Sequence, residues 1–305
     1  MWVGLGQLAR VAITALTFTG FYAGGLALSW LVLPLAWLQG ADHLTRTRRA
    51  QTIVRAGFRL FHDAMRWGFL LHSNPRQAPL QLPAGPCVVV ANHPTLIDVT
   101  AVLAAAPTMA CVVKGPLFRG LLLGNLMRHC WHIDGGMGSA LDNAAVLEQA
   151  AQRLAVGMPV LIFPEGTRSP EHGLHPFKRG AFEMAVRANV PVVLLLLHCY
   201  PAVLAKTAPW YRAPATIPTH RFSVIATLTP SEFANDSKAM VAAAMRIYSN
   251  QILATSTEQS IDISNLGPEQ ELLDRSPIGS ERAVGLKSRE LATHKASNGP
   301  GAKST

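Results

Sequence analysis

Apolar and polar positions fall into distinct regimes along the chain. No charged residue occurs between Val11 and Gly40. A helix over that stretch would run about 45 Å, beyond the roughly 30 Å of hydrocarbon in a bilayer. The pattern predicts one steeply tilted membrane span, or a helical hairpin broken near Gly20 and the Gly24-Gly25 pair. In "RRAQTIVRAGFRLFHDAMRWGFLL", Val54, Phe58, Phe61, Met65 and Phe69 recur at three- and four-residue spacing, which predicts an amphipathic helix edged by arginine. After Cys87, short apolar runs alternate with helical patterns. The strands are "PCVVVA", "MACVVK", "CWHID", "MPVLIF" and "VPVVLLLLHC"; the helices are "TLIDVTAVLAAA", "FRGLLLGNLMRH", "ALDNAAVLEQAAQRLAVG" and "KRGAFEMAVRAN". Ser139 with Asp142 forms a capping box before the third of these helices, and Gly157 ends it. "RFSVIATL" adds a strand, and Ser237 to Leu253 a last helix.

Short, wholly apolar strands alternating with helices predict an α/β fold, a mostly parallel sheet flanked by helices on both faces. From Thr255 the composition turns to Ser, Glu, Asn, Gly, Pro and Lys with little periodicity, as in a disordered tail. These shifts divide the chain into a membrane anchor (1–42), a basic amphipathic interfacial helix (43–72), an α/β domain (73–254) and the tail (255–305).

Charge refines this picture. The net charge is +9, and Arg46, Arg48, Arg49, Arg55, Arg59 and Arg66 follow directly on the apolar run. The positive-inside bias then predicts a domain on the cytoplasmic face, and the expected location is the cell inner membrane. The arginine-edged helix fits anionic lipid, and equally a core-packed helix with solvated arginines. The apolar run is too long for a secretory h-region of about 7 to 15 residues, so it is expected to stay in the protein. Neither zinc-finger spacing nor a basic recognition helix points to nucleic acid. Cys87, Cys111, Cys130 and Cys199 lack paired metal-type spacing and read as buried thiols in a reducing compartment. His129 and His132 fall where helix gives way to strand, so no metal site is expected.

In an open parallel sheet, ligands bind beyond the carboxyl ends of the strands. His93 follows the first strand, Lys114 ends the second, and "FPEGTRS" follows the fourth. On one continuous helix, His93 and Asp98 would be about 140° out of phase. Pro94 at the first helical position would leave His93 outside, able to fold back onto Asp98. A carboxylate on one ring nitrogen frees the other to act as a base; the alternative is a capping histidine beside a buried aspartate. In "FPEGTRS", Glu165, Gly166, Thr167 and Arg168 combine a carboxylate, a permissive glycine and a guanidinium fork, with Lys178 and Arg179 following in "FKRGAF".

Together "NHPTLID" and "FPEGTRS" resemble the lysophosphatidic-acid-type glycerolipid acyltransferases over roughly Val88 to Leu197, extending through "AKTAPWYRAP". The whole chain also resembles the acyltransferases of bacterial aryl-polyene-type lipid clusters. The resemblance implies transfer of a fatty acyl chain from acyl carrier protein or coenzyme A to a lipid hydroxyl, with no cofactor beyond the thioester co-substrate. His93 would be the general base and Asp98 its partner. Glu165, Gly166 and Arg168 would belong to the acceptor-binding motif, with Asn92, Lys114, Thr167, Lys178 and Arg179 the remaining substrate-binding candidates. Two departures stand out. "CWHIDGG" brings Asp134 and Gly135 where the family usually has an arginine, leaving the acceptor headgroup open, and "VPVVLLLL" has only Pro191 where a second proline is common. The rival readings are a thioesterase or lipase, for which "GMGSA" lacks the final glycine of a nucleophile elbow, and a non-catalytic lipid- or carrier-binding membrane protein.

Overall fold

The computed structural model describes residues 2–38, 42–73, 79–171, 173–204, 206, 214 and 216–265. Most of "AKTAPWYRAP", and the tail beyond Asn265, lie outside the described residues. Residues 1–255 form one compact unit and 256–305 another.

The N-terminal helix α1 (Trp2–Ala27) runs unbroken through its glycines into a π-helical turn, Leu28–Val32, and then α2 (Leu33–Trp37). The hairpin does not form at the glycines. Gly20 and Gly24 face open space, while a Cβ on Gly25 would stand 2.7 Å from Leu123 Cδ2, so Gly25 permits a close approach instead of a turn. The π turn has its own use. It leaves the Ser29 carbonyl to accept from Asn125 Nδ2 at 2.5 Å, while Ser29 Oγ accepts from Leu126 N at 2.9 Å.

The chain reverses after Trp37, and α3 (His43–Trp67), capped by Asp42 on Thr45 N at 3.0 Å, returns along the first helix. Phe18 and Phe21 pack on Phe61, and Trp37 on His43, so the two segments are antiparallel. Ala50, Val54, Phe61 and Met65 are buried. Arg55 and Arg59 donate to the carbonyls of Ala106 and Ala104 at 3.0 and 2.9 Å. Its apolar stripe thus packs on the protein, and two of its arginines cap a neighbouring helix. Phe69 is not part of the stripe, since it sits at φ 55° in the turn after α3, with its ring exposed.

The sheet comprises β1 (Val88–Ala91), β2 (Ala110–Val113), β3 (Ile133–Asp134), β4 (Val160–Ile162), β5 (Val192–Tyr200) and β6 (Thr219–Leu228), in the order β3-β2-β4-β1-β5-β6. All neighbours are parallel except β5 and β6. Strand residues alternate between two cores. Val88, Val90, Val192 and Leu194 face α7 (Ala140–Ala155), α8 (Gly180–Ala188) and α9 (Ser237–Asn265). Val89, Ala91, Val193 and Leu195 face α4 (Asp98–Ala105). The predicted capping box on α7 is present.

Two helices depart from expectation. "FRGLLLGNLMRH" yields two short helices, α5 (Gly115–Phe118) and α6 (Gly124–His129), with Leu121 and Leu122 exposed between them. The last helix continues past Leu253 and Thr255 to Asn265, because no glycine or proline interrupts it before Gly267-Pro268.

Candidate active site

The site begins where β1 runs out. Asn92 continues the ladder with its side chain: Nδ2 donates to Leu197 O at 2.8 Å and Oδ1 accepts from Leu197 N at 2.7 Å. Its amide therefore locks β1 to β5. Residues 93–97 form a tight non-helical turn, and α4 starts only at Asp98. Pro94 is thus not the first helical residue. Thr95 makes the turn instead, donating from its amide to Asp98 Oδ2 at 2.7 Å and from its hydroxyl to Oδ1 at 2.6 Å.

This turn brings His93 Nδ1 to 2.8 Å from Asp98 Oδ2. A carboxylate only accepts, so the proton sits on Nδ1 and the lone pair on Nε2. Nε2 has no hydrogen-bond partner among the described residues, and the side chain is 18% exposed. The Phe163 ring lies against the imidazole with centroids 4.4 Å apart. Asp98 itself is fully buried, and its other oxygen is held by His220 Nε2 at 2.8 Å. Burial alone would raise the Asp98 carboxyl, but hydrogen bonds from His220 and His93 outweigh it and hold it below its ordinary value. His62, on α3, lies behind this group, its Nε2 3.0 Å from Thr100 Oγ1; burial pushes it down to about 3, so it is neutral. No spacing in the sequence pointed to His220, 122 residues from Asp98. It reaches the site only because β6 returns antiparallel along β5 and begins at Thr219, two residues before the predicted "RFSVIATL".

The loop after β4 forms the opposite wall. Glu165 is buried: Oε1 accepts from Ser169 Oγ at 2.5 Å and from His93 N at 3.2 Å, and Oε2 accepts from His175 N at 2.8 Å. Ser169 Oγ also accepts from His93 N at 2.9 Å, and Ser169 N donates to His93 O at 2.8 Å. The carboxylate thus fastens the two motifs together, with both oxygens occupied by protein donors. Gly166 has φ 67°, and a Cβ there would meet Lys178 Nζ at 2.9 Å. Glycine is needed both for the turn and for the ammonium lying over it. Arg168 donates one guanidinium N–H to Leu204 O at 2.7 Å, and Thr167 is half-buried beside it. Arg179 turns toward Glu183 at 3.8 Å, along its own helix.

Lys114 is exposed after β2. Asp134, at the end of β3, accepts from Arg119 Nε at 2.9 Å and from Gly136 N at 2.9 Å. Its charge is therefore met by Arg119. Burial pushes the thiols of Cys87 to about 11 and of Cys111 and Cys199 to about 12, which leaves them poor nucleophiles at neutral pH. His129 bonds Asn125 O, and His132 accepts from Cys111 N, so the two point to different partners. No cluster of three or more His, Cys, Asp or Glu side chains suited to a metal occurs among the described residues.

Residues 73–196 match the protein-family model described as Acyltransferase. The chain is 31% identical over 160 residues to mouse 1-acyl-sn-glycerol-3-phosphate acyltransferase alpha, covering 49% of this chain and 54% of that protein. The human alpha protein is 36% identical over 126 residues, 39% of this chain and 42% of its own length. The chain thus spans about half the length of these curated relatives. The crystal structure of the 1-acyl-sn-glycerophosphate (LPA) acyltransferase PlsC from Thermotoga maritima superposes with a TM-score of 0.62 at 18% identity, covering 83% of this chain and 98% of that one, and establishes the likeness of fold.

Proposed function

We propose that the chain is a lysophosphatidic-acid-type acyltransferase, on the strength of its acyltransferase domain and its likeness to the 1-acyl-sn-glycerol-3-phosphate acyltransferases, and that it moves a fatty acyl chain from a thioester on acyl carrier protein or coenzyme A to the free hydroxyl of a glycerol-phosphate lipid. The observation that carries this reading is His93, with Nδ1 tied to Asp98 and Nε2 turned out at the carboxyl edge of the sheet. In the proposed reaction Nε2 accepts the hydroxyl proton as the oxygen attacks the thioester carbonyl. Asp98 stabilises the imidazolium that forms. Collapse of the tetrahedral intermediate expels the thiolate, which takes the proton back from His93. Base catalysis of this kind contributes about 10² to 10⁴ in rate, and no acyl-enzyme is required.

For the acceptor phosphate, the remaining N–H groups of Arg168, unpaired among the described residues, and the Lys178 ammonium over Gly166 supply cations after β4, with Lys114 at the end of β2. Asp134, standing where the family usually has an arginine, is paired with Arg119, so its negative charge is offset there. The apolar stretch Leu8–Trp37 is long enough to cross a membrane and exposes most of its side chains. We infer that it holds the enzyme at the cytoplasmic face of the inner membrane, where its lipid acceptor is found. A serine-nucleophile thioesterase or lipase finds no support in "GMGSA", whose Ser139 serves as the cap of α7.

The test is acyl transfer by purified protein, read by mass spectrometry with an acyl thioester and lysophosphatidic acid. His93→Ala is expected to abolish turnover while keeping the thermal unfolding transition. A folded His93→Ala protein that still transfers would refute the mechanism.

A further inference from the structure

We propose that His220 is a positioning residue of this reaction: from β6 it holds Asp98 Oδ1, which turns Oδ2 toward His93 Nδ1 and disperses part of the carboxylate's charge. This role rests on the general-base reading of His93. The geometry is symmetrical, each Asp98 oxygen being met by one imidazole nitrogen at 2.8 Å. Because Asp98 only accepts, His220 must carry its proton on Nε2. His220 is held firmly: its amide donates to His72 O at 2.9 Å, and it pairs with Cys199 across the β5–β6 ladder.

A purely structural residue explains this arrangement poorly. Among the described residues His220 Nδ1 is buried with no hydrogen-bond partner, and an unsatisfied buried polar atom is a cost that an apolar side chain at the same place would avoid. The cost is offset at the other nitrogen, where the N–H meets a buried charge that needs donors. The titratable groups around the pair are His93 on the turn, His62 on α3, and His198 and Cys199 on β5, with Glu165 behind the His93 backbone. His62, kept neutral by burial, brings no positive charge to the group.

The experiment compares full-length wild type with His220→Leu, His220→Gln and His220→Asn, measuring kcat, KM for both substrates, and the pH profile of kcat/KM. Loss of a donor to a buried charge should lower kcat by about ten- to a hundred-fold in His220→Leu with KM unchanged. The acidic limb should move to higher pH, because a carboxylate with fewer donors holds the neighbouring imidazolium more tightly. The glutamine amide can reach Oδ1 and should recover most of the rate, whereas asparagine is too short. A His220→Leu enzyme with wild-type kcat and an unmoved limb would overturn the role, as would a stably folded His220→Gln no better than His220→Asn. If the leucine variant does not fold, the glutamine–asparagine contrast carries the same comparison. His93→Ala separates the two levels: activity there removes the base and this role together, whereas an inactive His93→Ala beside unaltered His220 variants removes this role alone.

Discussion

Glu165 shows how a residue can sit inside a recognisable motif and still do something other than its neighbours. Its carboxylate accepts from Ser169, His175 and the His93 backbone, so it sets the distance between the base and the cationic loop. Glu165→Gln would turn one acceptor toward those donors as an N–H. The expected result is a lower kcat and a lower melting temperature with little change in KM for the acceptor. A direct acceptor contact would instead raise that KM and leave the melting temperature alone, so steady-state kinetics with thermal unfolding decides between them. The His93–Asp98 contact was half legible in the sequence: the spacing also fitted a capping histidine beside a buried aspartate, and Thr95, not Pro94 at a helix start, makes the turn that closes the pair. The inward turn of Glu165 was not legible, since its donors become neighbours only once the loop closes over His93. His220 was least legible, because its position depends on the register of a strand more than a hundred residues away.

At the scale of elements, α3 presents His62 to the core and β3 is entered through His132, and both imidazoles are buried and neutral. Burial pushes His62 to about 3, and burial followed by the charge of Arg153 pushes His132 to about 4, from an ordinary value of 6.5. The folded protein therefore binds fewer protons than the unfolded chain below pH 6.5, and stability falls as pH falls. For His132 the loss accumulates from pH 6.5 to about 4, and for His62 to about 3. Asp98, held below its ordinary value of 3.8, contributes stability that is fully present above that pH and is lost progressively as pH falls below it. Denaturant unfolding should therefore show a decline beginning near pH 6.5, well before the carboxylates titrate. His132→Asn, whose Oδ1 can still accept from Cys111 N, should make the decline shallower; an unchanged slope would assign the acid sensitivity to other groups.

For the whole molecule, alternating apolar runs were enough to read a parallel sheet, because strands buried on both faces carry few polar residues in any register. The same logic could not say what the N-terminal apolar run touches, since lipid and protein core select the same side chains. In the structure one face of that run is docked: Leu33 is buried among Ala50, Val54, Leu126 and Cys130, and Ser29 caps the start of α6. The other face carries Leu16, Leu31, Leu35 and Leu38, each more than 60% exposed. Deleting residues 1–42 would therefore do more than cut an anchor. It would strip cover from α3 and α6 and free Leu126 N, so the truncated protein should aggregate or melt well below the full chain. Membrane attachment has to be tested on the outer face alone. Leu16→Ser, Leu31→Ser and Leu35→Ser combined remove apolar area at about 25 cal/mol per Å² without touching the docked side. The triple variant should keep its melting temperature but pellet poorly with anionic lipid vesicles, with residual binding through the α3 arginines lost at high salt. Retention on vesicles at high salt would show that another surface, such as the exposed Leu121–Leu122 turn beside Trp30, carries the attachment.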